Sequence, residues 1–242
     1  MSANPYETDK LVSEYLLFHY GSAEEILPAS APPGMRDALD FAVRTQAHFS
    51  ECKEGRALDL GCAVGRSSYE MSRRFPKVVG IDFSHAFIKA AAAIAEGPLV
   101  YTRLDEAHLS TTLTAKLPDG IDPSGVRFEQ GDAMNLRADL GTFDRVHAAN
   151  LLCRLPKPEK LLKRLPELVA PGGELILATP CTWLGEFTPP ENWPPGRTID
   201  WLQTHLAGAF ELLLTKDETF LIRETGRKFQ WTSSQLSIWK RL

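Results

Sequence analysis

The sequence predicts an α/β protein: a mostly parallel sheet with one antiparallel strand and a helical lid at the N-terminus. Three observations predict it. Short apolar runs alternate with helical stretches from Arg56 onward, the pattern of parallel strands joined by right-handed crossovers. The last two strand-like runs, 220–224 and 234–239, have no helix between them and read as a hairpin, which places one antiparallel strand near an edge. The stretch Ala57-Leu58-Asp59-Leu60-Gly61-Cys62-Ala63-Val64-Gly65-Arg66-Ser67 reads as a buried strand, a loop of small residues and the start of a helix.

Taken in order, 7–20 has apolar residues at near-helical spacing and stops at Gly21, and it is rich in aromatic residues. A proline-rich loop follows, and then a second amphipathic helix is expected over 35–52. These two helices form the expected lid, 1–54. Strands are expected at 56–60, 78–81, 126–129, 144–149, 174–178 and 210–214, and helices at 66–74, 84–96, 157–169 and 198–209. The segment 97–125 is too long for an ordinary connection and reads as an insertion, with 99–102 and 109–117 able to pair as a small hairpin. No internal repeat is visible, so 1–242 is expected to be one domain.

Composition removes several function classes. The chain has 242 residues, a net charge of −4 and no basic run, which argues against a nucleic-acid partner. No signal-peptide pattern or long apolar run is present, so the expectation is a cytoplasmic protein with no membrane partner. Cys52, Cys62, Cys153 and Cys181 lack metal-ligand spacing and are expected as reduced thiols, with no metal bound.

In an open sheet of this kind, ligands bind at the carboxyl ends of the strands. Gly61, Asp82, Asp132, Asn150 and Thr179 fall there. Asp82 could accept both ribose hydroxyls of a nucleoside, or cap a helix; Asp132 could accept an adenine amino group, or serve a turn. The loop reads G-x-A-x-G, with Arg66 where a dinucleotide fingerprint has its third glycine, and Asp59 would set a carboxylate near a pyrophosphate. S-adenosylmethionine has no phosphate and carries ammonium and sulfonium centres, so it tolerates that acid. The loop, the acid after the second strand and Gly-Asp after the third together resemble the class I methyltransferase pattern, with its Rossmann-like sheet. Asn150 could hydrogen-bond beside the methyl group and Arg154 could reach a carboxylate; equally, Asn150 could cap a helix and Arg154 could be solvated.

The opening Tyr6-Glu7-Thr8-Asp9-Lys10-Leu11-Val12-Ser13-Glu14-Tyr15-Leu16-Leu17-Phe18-His19-Tyr20-Gly21 is similar to the start of the mercaptohistidine N-methyltransferase family. So are 59–68, Gly80-Ile81-Asp82-Phe83-Ser84, Ala149-Asn150-Leu151-Leu152-Cys153-Arg154-Leu155-Pro156 and 179–184. In ovothiol biosynthesis such a domain is fused to the 5-histidylcysteine sulfoxide synthase. That part is absent here, so the chain resembles a stand-alone member whose pathway partner would be a sulfoxide or selenoxide synthase. The resemblance implies methylation of the imidazole π-nitrogen of 5-thiohistidine or 5-selenohistidine by S-adenosylmethionine. It implies cofactor binding by Asp59, Gly61, Cys62, Ala63, Gly65, Asp82, Phe83, Ser84, Asp132, Ala133 and Asn150. Tyr15, His19, Tyr20, Arg44, Asn150, Arg154 and Trp183 are then the acceptor-binding candidates, with Asn150, His19 and Tyr15 as the catalytic ones. The aromatic candidates read equally well as a packing face. Two other readings stand beside this one: a methyltransferase for another small amine, phenol or thiol, and a non-catalytic cofactor-binding subunit of a partner synthase.

Overall fold

The computed structural model describes residues 5–52 and 55–242; residues 1–4, 53 and 54 of the expected lid lie outside the described residues. The chain opens with a 3-10 turn at Pro5–Glu7, α1 (Asp9–Tyr20), the single turn α2 (Ala23–Ile26) and α3 (Phe41–Ala47). It continues through β1 (Arg56–Leu60), α4 (Arg66–Ser72), β2 (Lys77–Asp82), α5 (His85–Glu96), β3 (Leu99–Glu106), β4 (Leu109–Ala115), β5 (Val126–Gln130) and β6 (Phe143–Ala149). Then come α6 (Pro158–Leu168), β7 (Val169–Thr179), α7 (Thr198–Leu206), β8 (Phe210–Arg223) and β9 (Phe229–Arg241).

Seven strands form one sheet in the order β5-β2-β1-β6-β7-β9-β8. Central β1 is buried almost throughout, as a parallel strand covered on both faces must be. It pairs in parallel with β2 and β6, while β9 runs antiparallel to both β7 and β8. β9 is thus the one antiparallel strand, inserted next to the edge. Because β2 and β6 lie on opposite sides of β1, the strand order reverses there. The crevice at the carboxyl ends of β1 and β6 is the ligand position for such a sheet.

Two elements differ from the expectation. The helix expected over 35–52 is broken into a 3-10 turn at Arg36–Ala38 and the short α3, because Asp40 adopts a left-handed conformation (φ 56°). The runs 210–214 and 220–224 are one continuous strand. Its polar middle belongs at a sheet edge, where the side chains from Leu213 to Asp217 face water.

The segment 97–125 contains the antiparallel pair β3–β4. Tyr101 and Ala115 from this hairpin pack on Leu16 and Leu17 of α1. Asp105 fastens it by accepting from Arg103 at 2.8 Å and from Arg223 of β8 at 3.0 Å. The hairpin therefore buttresses the N-terminal cover.

Candidate active site

The loop between β1 and α4 turns through three left-handed residues, Gly61 (φ 71°), Ala63 (φ 47°) and Gly65 (φ 86°). A side chain at Gly65 would meet the Phe128 ring at 2.7 Å and Ala91 at 2.9 Å, so only glycine fits. The loop amides point inward. Gly61 and Cys62 N–H both donate to the Ile81 carbonyl, at 2.8 and 3.1 Å, and Gly65 N–H donates to Cys62. Ala63 N–H donates to the Asp82 carboxylate at 3.0 Å. A pyrophosphate needs such amides free, and these four are spent. The geometry favours a ligand without phosphate.

Asp82 ends β2 and also accepts from Ser84 N–H at 2.8 Å. Burial pushes its carboxyl up to about 6, with the Ser84 and Ala63 amides working against that rise. Beside it the Phe83 ring is 59% exposed, a flat face next to an acid. Ser84 is buried as the N-cap of α5, its hydroxyl accepting from Phe87 N–H and donating to the Tyr6 carbonyl at 2.8 Å. Asp132 uses one carboxylate oxygen to hold Met134 N–H at 2.8 Å, and Ala133 is buried behind it. Asp82, Phe83 and Asp132 thus rim one side of the loop.

The opposite wall begins at Asn150, which follows β6 in a left-handed conformation (φ 55°). Its side-chain oxygen accepts from Ser234 of β9 at 2.6 Å, which turns the amide N–H₂ away from that contact. Half-buried Arg154 follows in the 3-10 turn Leu152–Arg154, with its guanidinium 4.7 Å from the centre of the Phe187 ring. No carboxylate stands within ion-pair distance of it among the described residues. Tyr6 lies against Phe187, Phe87 and Tyr15, and its phenol hydrogen-bonds Arg154. Tyr15 in turn contacts Phe18, His19 and Phe87. Tyr6, Tyr15 and Phe87 thus pack on one another as an aromatic cluster, with the Arg154 guanidinium at the Tyr6–Phe187 end.

His19 and Tyr15 are unsuited to be bases. Burial, followed by repulsion from Arg66, lowers His19 to about 3, so it stays neutral, and its buried Nδ1 has no hydrogen-bond partner among the described residues. Burial raises the Tyr15 phenol far above its ordinary value, so it stays protonated.

A profile described as "Methyltransferase domain" matches residues 31–233. The chain belongs to the methyltransferase domain family. It is 31% identical over 148 residues to trans-aconitate 2-methyltransferase of Deinococcus radiodurans, covering 60% of this chain and 46% of that protein. It is 29% identical over 125 residues to the ubiquinone biosynthesis O-methyltransferase of Pseudomonas aeruginosa, covering 51% and 44%. The matches thus span less than half the length of these relatives. Among solved structures, the N-methyltransferase NodS of Bradyrhizobium japonicum in complex with S-adenosyl-L-homocysteine has a TM-score of 0.56 at 13% identity, covering 95% of this chain and 98% of that one. The fold is that of S-adenosylmethionine-dependent methyltransferases, and S-adenosylmethionine is the cofactor that fold implies.

In this methyltransferase domain several expected contacts are already committed elsewhere. Arg44 pairs with Glu218 and donates to the carbonyls of Thr219 and Leu39, so it has no free face for a substrate carboxylate. The Trp183 indole donates to Thr198 at 3.1 Å and packs edge-on against Trp201, which makes it a clasp on α7. The Tyr20 hydroxyl donates to the Val64 carbonyl at 2.8 Å and ties α1 to the loop. Asp59 is 1% exposed and its carboxylate is filled by Ser67, Ser68 and His147, so it shapes the loop from beneath. Cys62 is buried, and burial raises its thiol well above the usual range. Sequence reasoning missed Phe187 and the role of Tyr6. Phe187 lies in a proline-rich loop with no local pattern, whereas Tyr6 stood within the aromatic N-terminal run.

Among the described residues no group of three or more His, Cys, Asp or Glu side chains is placed to hold a metal, and no helix is long and apolar enough to cross a membrane.

Proposed function

We propose that this methyltransferase transfers the methyl group of S-adenosylmethionine to the imidazole π-nitrogen of a small amino acid, 5-thiohistidine or its selenium analogue. The observation that carries the reading is Arg154: a half-buried guanidinium without a carboxylate partner among the described residues, at the end of an aromatic cluster. A bidentate carboxylate contact suits such a group, and the half-buried rings of Tyr6 and Phe187 beside it suit a flat heterocycle. The similarity of the Tyr15–Tyr20 and Asn150–Pro156 stretches to mercaptohistidine N-methyltransferases supports the same acceptor. A sulfoxide or selenoxide synthase would then be the pathway partner that generates it.

Chemically, the π-nitrogen lone pair forms the new N–C bond as the S–C bond breaks, and the electron pair stays on sulfur as S-adenosylhomocysteine. The methylated ring then sheds its one N–H proton, from the other nitrogen, to solvent. Neutral His19 and protonated Tyr15 are not needed as bases, because a neighbouring thiolate or selenolate already enriches the ring. The protein contributes orientation and a dry, aromatic surface on which the migrating positive charge is stabilised.

The same Arg154 would also fit a small carboxylic acid without an imidazole, and the resemblance to trans-aconitate 2-methyltransferase favours keeping that second reading. Mass spectrometry with cofactor and either 5-thiohistidine, histidine or trans-aconitate separates them. A product one methylene heavier from thiohistidine alone is expected. Product from trans-aconitate alone selects the second reading, and cofactor binding without product from any of them defeats both. In Arg154→Met the KM for the acceptor is expected to rise about 30-fold or more, with S-adenosylhomocysteine binding unchanged.

A further inference from the structure

Beneath the cofactor loop, a chain of buried hydrogen bonds joins the N-terminal cover to the sheet. Gly80, Asp59 and His147 are direct neighbours across β2, β1 and β6. Ser68 Oγ occupies the space a Gly80 side chain would take, since a Cβ there would stand 2.7 Å from it. From that position Ser68 donates to Asp59 Oδ2 at 2.6 Å, and Ser67 donates to the same oxygen at 2.9 Å. His147 Nδ1 lies 2.8 Å from Asp59 Oδ1, and His147 Nε2 lies 3.0 Å from the Thr45 hydroxyl of α3. Thr45 is 0% exposed, His147 and Asp59 1%, Ser68 0% and Ser67 5%.

The Thr45 hydroxyl lies between two partners, the Phe41 carbonyl at 3.0 Å and His147 Nε2 at 3.0 Å. Asp59 receives two serine hydroxyls on Oδ2, and its carboxyl lies below the usual range: burial pushes it up, but the His147 contact and the serine hydrogen bonds outweigh that. Nδ1 therefore donates to Asp59. His147 bridges that carboxylate and α3 in the interior, and the groups facing it are Asp59 from β1, Thr45 from α3 and the Phe49 ring.

We infer that Thr45 and His147 are positioning residues for the cofactor. Asp59 stands at the end of β1, and Ser67 and Ser68 lie in the first turn of α4, so one carboxylate clamps both ends of the loop 61–65. Thr45 is what holds the His147 ring in place opposite that carboxylate. Docking of α3 and the shape of the loop are then one equilibrium, and cofactor affinity depends on a helix that contributes no direct cofactor contact. The inference does not depend on which acceptor is methylated.

Calorimetric titration of the full chain with S-adenosylhomocysteine tests it. Thr45→Val, nearly isosteric, is expected to bind about five- to tenfold more weakly, and Thr45→Ser within about twofold of wild type. Wild-type affinity in Thr45→Val overturns the inference. Nitrogen NMR of the histidine rings in the wild-type chain gives a readout that needs no variant. Saturation with S-adenosylhomocysteine is expected to shift the His147 ring resonances, and unchanged resonances overturn the inference even if Thr45→Val fails to fold.

Discussion

Asp82 shows how a single side chain sets the conditions for cofactor binding. Burial lifts its carboxyl to about 6, so the folded chain holds this proton more tightly than the unfolded one does. Between the ordinary carboxylate value and about 6, stability therefore falls as pH rises, and above that the full cost of the buried charge is present. Ribose hydroxyls donate well only to the ionised form. S-adenosylhomocysteine binding is thus expected to strengthen about tenfold per pH unit on rising toward pH 6 and then to level off. Calorimetry across pH 5 to 8 checks this, and Asp82→Asn should bind weakly with a flat profile. Arg154 and Arg44 make the complementary point about cations. Both were candidates to hold a carboxylate. Arg44 meets Glu218, 174 positions away, whereas Arg154 meets the Phe187 ring, the Tyr6 phenol and the Cys153 carbonyl. Only the folded chain reveals which of the two lacks a carboxylate among the described residues.

Among the elements, the β1–loop–α4 unit is the most fully specified by local sequence. Small residues occur where the backbone turns left-handed, and the strand before it is apolar enough to be buried on both faces. Replacing Gly65 by Ala brings a Cβ to within 2.7 Å of Phe128 at a φ of 86°, two penalties at one position. The Gly65→Ala chain is expected to lose about 2–4 kcal/mol of stability, seen as a lowered urea midpoint with an unchanged slope. A smaller change would mean that α5 and β5 give way more easily than their packing suggests. The elements that were harder to read, α3 and β8, share a cause. Each has its shape imposed by a partner: α3 is anchored on β8 through Arg44 and His48, and β8 accepts polar residues because it lies at the sheet edge. The hairpin β3–β4 was visible as two short apolar runs, but its service to α1 was not.

Across the whole molecule, the cofactor loop is held from three directions: from below by the Asp59 cluster, from above by Tyr20, and from the side by Asp82. A ligand that binds there stabilises every element tied to it. At about 100 times its Kd, S-adenosylhomocysteine should add about 2.7 kcal/mol and raise Tm by roughly 5–10 °C in a thermal melt. An unchanged Tm at saturation would show that the crevice is not its site.

By itself, the sequence determined the order of strands and helices, the antiparallel strand near the edge, the small-residue loop and the acids that rim it. These depend on periodicity, backbone conformation and neighbours within a few positions, which local sequence encodes. Tertiary structure alone decided which polar groups remain available. Asp59, Arg44, Tyr20 and Trp183 are spent on partners brought together by folding, while Arg154 is left without a carboxylate among the described residues. A residue type states what chemistry a group can do; whether it is free to do it depends on pairings across the chain, because burial forces polar atoms to find partners wherever the fold puts them.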